Sequence, residues 1–507
     1  MVEERKKHCW ECRRRRLVCD FTQPGCARCA ASGVDCPGYS ETRPTRLQWL
    51  APGKVKAHNR RSKKEKEEEE RRKEEEKKRS VRLSGNSSDS SVSLPPPVEL
   101  HTDVHAMIQA VQYYNACIIP RRFPTQDMGP TPFIYTISPS LFQMGMNFPD
   151  HVRMNMVCMT LTHQMNRTRA DDPYSAVLAK RFLRYRGYII RSLHDDLNFE
   201  HKRKADLTIA GILNLLLTDA QQDVTPSWRL HLDGAQKLIK MRGGMRALAD
   251  VPRLHPLMVS FVSIVVVSDT TSPASNMAMA TWQLEDFEFI IEQYARGQFD
   301  FHACPVPIFT QIVKTNHLRI RAASTQLEQE EEGANPLAEA AYGVLSSIYA
   351  FSADRWAESK PSSKEDWALV GAAYQAAAAL FCIRSLQSQG VLPINAFLRD
   401  CCSTHSQLLQ VLLTKVFTSP KTELFIIWPL VTLGVEAVHG GAPMRRFVSD
   451  RLADLSRFVG TSNPLEARNI LQRFWASGGD AWDDCFDRPC FFTTQMAVDV
   501  SRLHSST

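Results

Sequence analysis

The chain has 507 residues, with 62 Lys plus Arg against 55 Asp plus Glu (formal net charge +7) and 43% hydrophobic residues. That apolar content can bury a sizeable core, but the charge is uneven: residues 1–82 hold 24 Lys plus Arg against 14 Asp plus Glu, a net of +10 that leaves −3 for the rest. A basic arm on a slightly acidic body suits polyanion binding by the arm alone. The chain opens on Met1-Val2-Glu3-Glu4-Arg5-Lys6-Lys7 with no apolar run suited to a signal peptide, so a disulfide framework, which needs an oxidising compartment, is not expected.

Cysteines 9, 12, 19, 26, 29 and 36 follow as C-x2-C-x6-C-x6-C-x2-C-x6-C, two matched halves. Two thiolates two residues apart can turn onto one ion, and structural zinc takes four soft ligands tetrahedrally. Six thiolates cannot fill two separate tetrahedra. Either one zinc takes four and two sulfurs are spare, or two zincs share one sulfur from each half, and the internal repeat favours sharing. Residues 1–40 hold few large apolar side chains, chiefly Trp10, Leu17, Val18, Phe21, Val34 and Tyr39, so metal must supply most of their folding free energy. Between Cys12 and Cys19 the run Arg13-Arg14-Arg15-Arg16-Leu17-Val18 reads as a short helix, because it lacks Gly and Pro. Such a helix presents guanidinium groups able to lie bidentate on guanine or to clamp phosphate.

These residues resemble the fungal Zn2Cys6 binuclear cluster of zinc-cluster transcription factors. The family pattern places basic residues where this chain has Arg13, Arg15 and Arg16, an Asp at Asp20 and a proline at Pro24. The resemblance implies two zinc ions per chain, bridged by Cys9 and Cys26, with Cys12 and Cys19 completing one site and Cys29 and Cys36 the other. It implies double-stranded DNA as partner, Arg16 reading a CGG triplet in the major groove, Arg15 beside it and Arg13 on phosphate. Arg14 belongs to the same DNA-facing set. Arg stands at 15 and 16 where many relatives carry Lys, which bears on the detail of base contact.

Residues 41–62 continue the basic arm with Arg43, Arg46, Lys54, Lys56, Arg60 and Arg61. They read as a flexible connector that can lie along phosphates, Lys54 and Lys56 among the contacts, and serve as a nuclear import signal. All 17 residues from Lys63 to Arg79 are charged, with Glu one turn ahead of a base at Glu67/Arg71, Glu68/Arg72, Glu69/Lys73, Glu74/Lys78 and Glu75/Arg79. That order suits a solvated helix. It cannot supply the apolar seam of a coiled coil, so the segment reads as a spacer of ~25 Å and the arm alone is expected to be monomeric. Ser84 to Pro97, with its Ser, Gly, Asn and Pro-Pro-Pro, reads as a disordered linker.

Beyond about residue 100 the apolar runs recur at helical spacing, giving candidate helices over 175–197, 205–220, 227–242, 256–268, 336–350, 366–386, 404–417, 423–438, 444–458 and 465–476. In the third, Trp228, His231, Leu232, Ala235, Leu238, Ile239 and Arg242 recur every three or four residues and Gly243-Gly244 supplies the stop. Period-two alternation is scarce, so an all-α body is expected. Leu257 to Val267 is too short to span a bilayer and reads as a buried core helix. Acidic-apolar stretches at Glu285–Phe289 and Trp482–Asp487 and an acidic loop at Glu328–Glu332 are read as helix ends and surface loops ahead of activation surfaces.

The stretch Trp228-Arg229-Leu230-His231-Leu232-Asp233-Gly234-Ala235, with Leu238-Ile239, Arg242-Gly243-Gly244, Ile427-Trp428-Pro429-Leu430 and Gly434-Val435-Glu436, resembles the fungal-specific transcription factor domain of the acriflavine-sensitivity-control type. That implies a helical regulatory domain with no catalytic residues to carry over. Trp228, Leu232 and Leu238 read as core, and His231 as a satisfied helix histidine. The remaining cysteines (117, 158, 304, 382, 401, 402, 485 and 490) contain no second C-x2-C pair, and neither His-Glu-x-x-His nor a phosphate-cradling Gly loop occurs. No enzyme is expected.

The expected architecture is a small Zn2Cys6 binuclear cluster domain over 5–40, a charged and partly disordered linker over 41–100, and a large all-α regulatory domain over 101–507. The expected function is sequence-specific regulation of RNA polymerase II genes in the nucleus, with the transcription machinery or co-regulators as partners. A homodimer would form through the helical body or on DNA, and no membrane is involved. The competing reading is a zinc-stabilised interaction protein that binds nucleic acid or acidic partners without sequence choice.

Overall fold

A computed structural model describes residues 8–15, 17–39, 103–129, 135–169, 171–222, 228–296, 304–325, 336–501 and 503. The basic connector, the charged spacer, the Ser/Pro-rich linker and the acidic loop at Glu328–Glu332 lie outside them. The chain divides into two compact units, Met1–Pro97 and Val98–Thr507.

Among the described residues the first unit contains two short helices, α1 (Trp10–Arg15) and α2 (Ala27–Ala31). The second is built from α3 (Asp103–Tyr113), α4 (Asp150–Arg167), α5 (Pro173–Asn198), α6 (Asp206–Ala220), α7 (Trp228–Met241), α8 (His255–Thr270), α9 (Leu284–Ala295) and α10 (Val306–Thr325). It continues with α11 (Pro336–Tyr349), α12 (Lys364–Ser388), α13 (Ala396–Val416), α14 (Ile427–Val459) and α15 (Asn463–Ser477), with shorter helical turns between. No strand occurs among the described residues. Helices pack mainly on their sequence neighbours, α4 on α5, α6 on α7, α12 on α13 and α14 on α15.

Each of the ten expected runs coincides with helix over most of its length. Four further helices, α3, α4, α9 and α10, were not expected, and polar residues turned inward explain two of them. In α4, His151, Asn155, Thr160, Thr162 and His163 are buried, and in α10 Gln311, Thr315, Asn316 and Arg319, so the apolar period is broken in the sequence. The acidic-apolar stretch at 285–289 is the first turns of α9. Its Phe287 and Phe289 are buried, and the Asp286 carboxylate accepts the Gln283 N–H at 3.0 Å, a helix start. Trp482 and Phe486 are likewise buried.

The expected pair 423–438 and 444–458 forms one helical run broken at Gly441 (φ 73°, ψ −175°), two residues before Pro443. Proline lacks the N–H that would bond one turn back. Arg445 donates to the Ala437 and Val438 carbonyls at 3.1 and 2.9 Å, satisfying groups freed at the kink.

The most apolar helix, α8, is buried along most of its length. Pro252–Thr270 and Lys364–Ser388 are long and apolar enough to cross a membrane by length and composition, and 78% of each such window lies inside the body, as core helices do. The final carbonyls of α8 have no partners within the helix. Arg319 supplies them, donating to Asp269 O at 2.8 Å and to Ser272 O just beyond at 2.7 Å, while also reaching the Asp483 carboxylate at 3.0 Å. The Trp428 indole N–H donates to Thr270 Oγ1 and that of Trp482 to Thr270 O, both at 2.9 Å.

Helices α5, α6 and α7 are tied by Asp219. Its carboxylate, 3% exposed, accepts two bonds from Arg186 at 2.7 and 2.6 Å and one from His231 Nε2 at 3.0 Å. Trp228, Leu232 and Leu238 are buried beside it, and Arg229 reaches Asp233 at 3.1 Å along α7. At Gly211 on α6 any β-carbon would collide with the buried His151 ring, so glycine permits the approach of α4.

Burial acts to raise the Asp219 carboxyl, but the Arg186 bonds and His231 outweigh it and hold the group at about 2 against an ordinary 3.8. Stability from such a depressed carboxyl is fully present above 3.8 and lost as pH falls toward 2, about 2 kcal/mol in all. Asp219→Asn strips the partner from a largely buried guanidinium, so the melting transition of the body is expected to fall by the equivalent of ~3 kcal/mol at neutral pH. Melts recorded between pH 2 and pH 7 should show the variant's deficit shrinking toward the acid end.

Candidate metal centre

Among its described residues the first unit has almost no hydrocarbon interior. Its buried residues are mainly sulfurs: Cys9, Cys12, Cys19, Cys26 and Cys29 are each 2% exposed or less, with Leu17, Phe21, Cys36 and Tyr39 packed around them.

The two C-x2-C pairs are built alike. Cys9 precedes α1 and its sulfur accepts the Cys12 N–H at 3.4 Å, while Cys26 caps α2 and its sulfur accepts the Cys29 N–H at 3.3 Å. A helical turn started by the first cysteine thus swings the second sulfur beside it. The expected helix between Cys12 and Cys19 is shifted: α1 begins at Trp10 and ends at Arg15, because Cys9 starts it and Cys19 has to return to the sulfur group.

Two quartets of sulfurs result, Cys9/Cys12/Cys19/Cys26 and Cys9/Cys26/Cys29/Cys36, each with all its ligand atoms within 4.8 Å of one another. Cys9 and Cys26 belong to both. Sulfur separations are 3.6 Å for Cys9–Cys26, 3.8 Å for Cys9–Cys29 and 3.6 Å for Cys12–Cys26. Metal–sulfur bonds of roughly 2.3 Å set tetrahedral edges of about 3.8 Å, so the spacing fits a four-coordinate ion in each quartet. All six cysteines are free of disulfides.

The electrostatics also ask for cations. Burial pushes the Cys9 and Cys12 thiols up, and that of Cys29 to about 12. At Cys19 burial acts upward too, but backbone N–H donors from Cys9 and Phe21 and the Tyr39 hydroxyl outweigh it and bring the thiol down to about 6. Cys36 is lowered as well, backbone donors overcoming burial. Six thiolates this close repel one another until dications neutralise them.

Several residues outside the sulfur set hold the loop. Asp20 Oδ2 accepts the Ala27 N–H at 2.9 Å, tying the end of the first half to the start of the second. The Gln23–Pro24 bond at this turn is cis. The Tyr39 hydroxyl donates to Thr22 O at 3.0 Å and lies 3.5 Å from the Cys19 sulfur. The sequence shows Tyr39 as one of the few large apolar residues near the cluster, and its aromatic hydroxyl three residues after Cys36 is the signal for this second role.

Of the expected DNA-facing residues, Arg13 and Arg15 are exposed on α1, and the Arg13 guanidinium lies over the Trp10 ring at 5.3 Å. Arg14 belongs to α1, but its side chain lies outside the described residues, as do Arg16, Lys54 and Lys56.

The profile of the fungal Zn(2)-Cys(6) binuclear cluster domain matches residues 7–46, and that of the fungal specific transcription factor domain matches residues 109–492. The chain is 42% identical over 502 residues to the phomenoic acid biosynthesis cluster-specific transcriptional regulator of Leptosphaeria maculans, covering 99% of this chain and 92% of that protein. No solved structure matches. The paired quartets are thus a binuclear zinc site, in which zinc supplies positive charge and fixed tetrahedral corners to a loop without a core.

Elemental analysis of the purified chain is expected to find two zinc ions per molecule. Cys26→Ser, which removes a sulfur common to both quartets, should lose both ions together, whereas Cys12→Ser should weaken one site first. A single retained zinc in the unaltered protein would rule out the shared arrangement.

Proposed function

The chain belongs to the fungal transcription regulators that join a Zn(2)-Cys(6) binuclear cluster to a fungal specific transcription factor domain, and from that premise we propose that it is a nuclear, sequence-specific regulator of RNA polymerase II genes that reads CGG-type triplets. The observation that carries the proposal is the double sulfur quartet with exposed Arg13 and Arg15 on the helix that leaves it. In this reading Cys9 and Cys26 bridge the two ions, Cys12 and Cys19 complete one site, and Cys29 and Cys36 complete the other. The ions hold α1 rigid while its arginines meet DNA.

Arg16 is assigned the base contact, since guanidinium can bond O6 and N7 of one guanine together. Arg13, Arg14 and Arg15 are assigned to phosphate and neighbouring base edges, and Lys54 and Lys56 to phosphates further along, where contacts position the protein without reading sequence. The stacking of Arg13 on Trp10 supports a positioning role, because the ring restrains the guanidinium before DNA arrives.

The division of labour follows the chain: residues 5–40 read DNA, 41–100 connect and carry the import signal, and 101–507 regulate without catalysis, through co-regulators or the transcription machinery. The relative's name assigns it to a biosynthesis cluster, and by extension the targets proposed here are genes of a biosynthetic cluster.

Site selection from random duplexes at fixed salt is expected to return CGG-containing sites. Arg16→Ala should cost ~1–3 kcal/mol on those sites and flatten the preference. Lys54→Ala and Lys56→Ala should weaken all duplexes alike and reduce the salt dependence. Equal losses on specific and scrambled DNA for Arg16→Ala would reject its reading role and favour binding without sequence choice.

A dimer on paired triplets is proposed to come from the helical body or from DNA itself, because the all-charged stretch Lys63–Arg79 offers no apolar seam. Sedimentation of the zinc-loaded segment 1–100 without DNA should find a monomer; a stable dimer at micromolar concentration would return the dimer contact to the arm.

A further inference from the structure

The helical body contains a cavity of about 380 Å³, within the range of small-ligand sites. Its walls are mostly apolar, with Met159, Ile264, Phe425, Trp428 and Phe491 among them. One wall is made of consecutive chain: every residue from 491 to 500 lines the cavity. That segment belongs to no helix and has no strand partner among the described residues. Side chains of the helices hold it instead, with Asn463 bonding Phe491 O and Thr493 N at 2.9 and 2.8 Å, Gln221 donating to Gln495 O at 2.7 Å, and Asn214 accepting Val498 N at 2.9 Å.

Two polar groups at one side of the cavity lack adequate partners. Thr125 is fully buried and its hydroxyl has no hydrogen bond. Arg122, three residues earlier, makes one long bond from Nη2 to Thr494 O at 3.4 Å, and no carboxylate pairs with it among the described residues. Burial draws its guanidinium below the usual value. The acid on the same wall, Asp499, is already engaged by the Tyr135 hydroxyl at 3.1 Å and the Ser501 N–H at 2.9 Å. Elsewhere in the body, Arg186, Arg319 and Arg384 each meet a carboxylate. Arg122 faces a cavity in its place.

We propose that this cavity is a binding site for a small organic monocarboxylate, whose apolar skeleton lies against the aromatic and aliphatic walls and whose carboxylate bonds Arg122 and the Thr125 hydroxyl. A planar guanidinium matches a carboxylate through two parallel bonds, and no carboxylate among the described residues makes those bonds to Arg122. A phosphate dianion would need a second cation, and the described residues of the lining supply none. A bound acid would join the turn that carries Arg122 and Thr125 to the 491–500 wall, so occupancy stabilises the body by mass action. The inference stands on the cavity alone and does not depend on which DNA is read.

The test uses the full-length zinc-loaded chain, with sodium decanoate and 3-phenylpropanoate as probes and decanol and decyltrimethylammonium as controls. Calorimetry and thermal melting are expected to show saturable binding of at least one carboxylate, with a raised midpoint, and weaker binding of the alcohol and the cation. Arg122→Gln should weaken carboxylate binding at least tenfold. Ser263→Phe, which fills the cavity from a lining residue, should abolish it while leaving Arg122 in place. Should either variant fail to fold, a diazirine-bearing decanoate on the unaltered chain should label residues 122–125 or 491–500. Equal affinity for decanoate and decanol would overturn the carboxylate assignment. Failure of both carboxylates to bind at millimolar concentration, or labelling confined to other segments, would overturn the site.

Discussion

Charge and hydrogen-bonding capacity taken out of water have to be met by something, and that constraint orders both units of the chain. In the first unit the groups are thiolates. The Cys9 and Cys26 sulfurs lie 3.6 Å apart and belong to both quartets, a separation that two like charges hold only around shared cations. Among the described residues no apolar core competes with that demand, so the paths of α1, α2 and the turn between them follow the two tetrahedra.

In the body the same demand is met by protein groups. The end of α8, the most apolar helix, leaves carbonyls and the Thr270 hydroxyl deep in the core, and Arg319 and Trp482 reach the carbonyls from α10 and the turn near residue 482 while Trp428 of α14 reaches the hydroxyl. Four distant parts of the chain therefore meet at one helix end. Asp219 plays the corresponding part for α5, α6 and α7. Such networks contribute less net stability than hydrocarbon burial, but leaving one member bare is expensive, so they restrict the body to one arrangement of its helices.

The sequence made the metal centre legible because its chemistry depends on spacing: C-x2-C at the start of a helical turn brings two sulfurs together whatever surrounds them. The body's class was legible from recurring apolar residues, as at Trp228, Leu232 and Leu238. What stayed hidden depends on contacts between residues far apart. His151 and Asn155 in α4 and Asn316 and Arg319 in α10 are polar residues facing inward, and nothing local shows that their partners are the Leu207, Val266 and Asp269 carbonyls or other side chains. The kink at Gly441 appeared in the sequence as a gap between two helices, since Gly and Pro mark a break without showing that the chain resumes helix beyond it. Thr125 and Arg122 carried no pattern at all.

The wall formed by residues 491–500 has a consequence for synthesis. It bonds residues as distant as Arg122, 372 positions before Thr494, and every helix it touches leaves the ribosome before it. Chains fold from their N-terminal side as they are made, so until residues 491–500 emerge the helices around the cavity expose an apolar face where this wall will lie. Ribosome-bound chains stalled ahead of residue 491 would thus offer that apolar face to chaperones, and emergence of this stretch is the event that covers it.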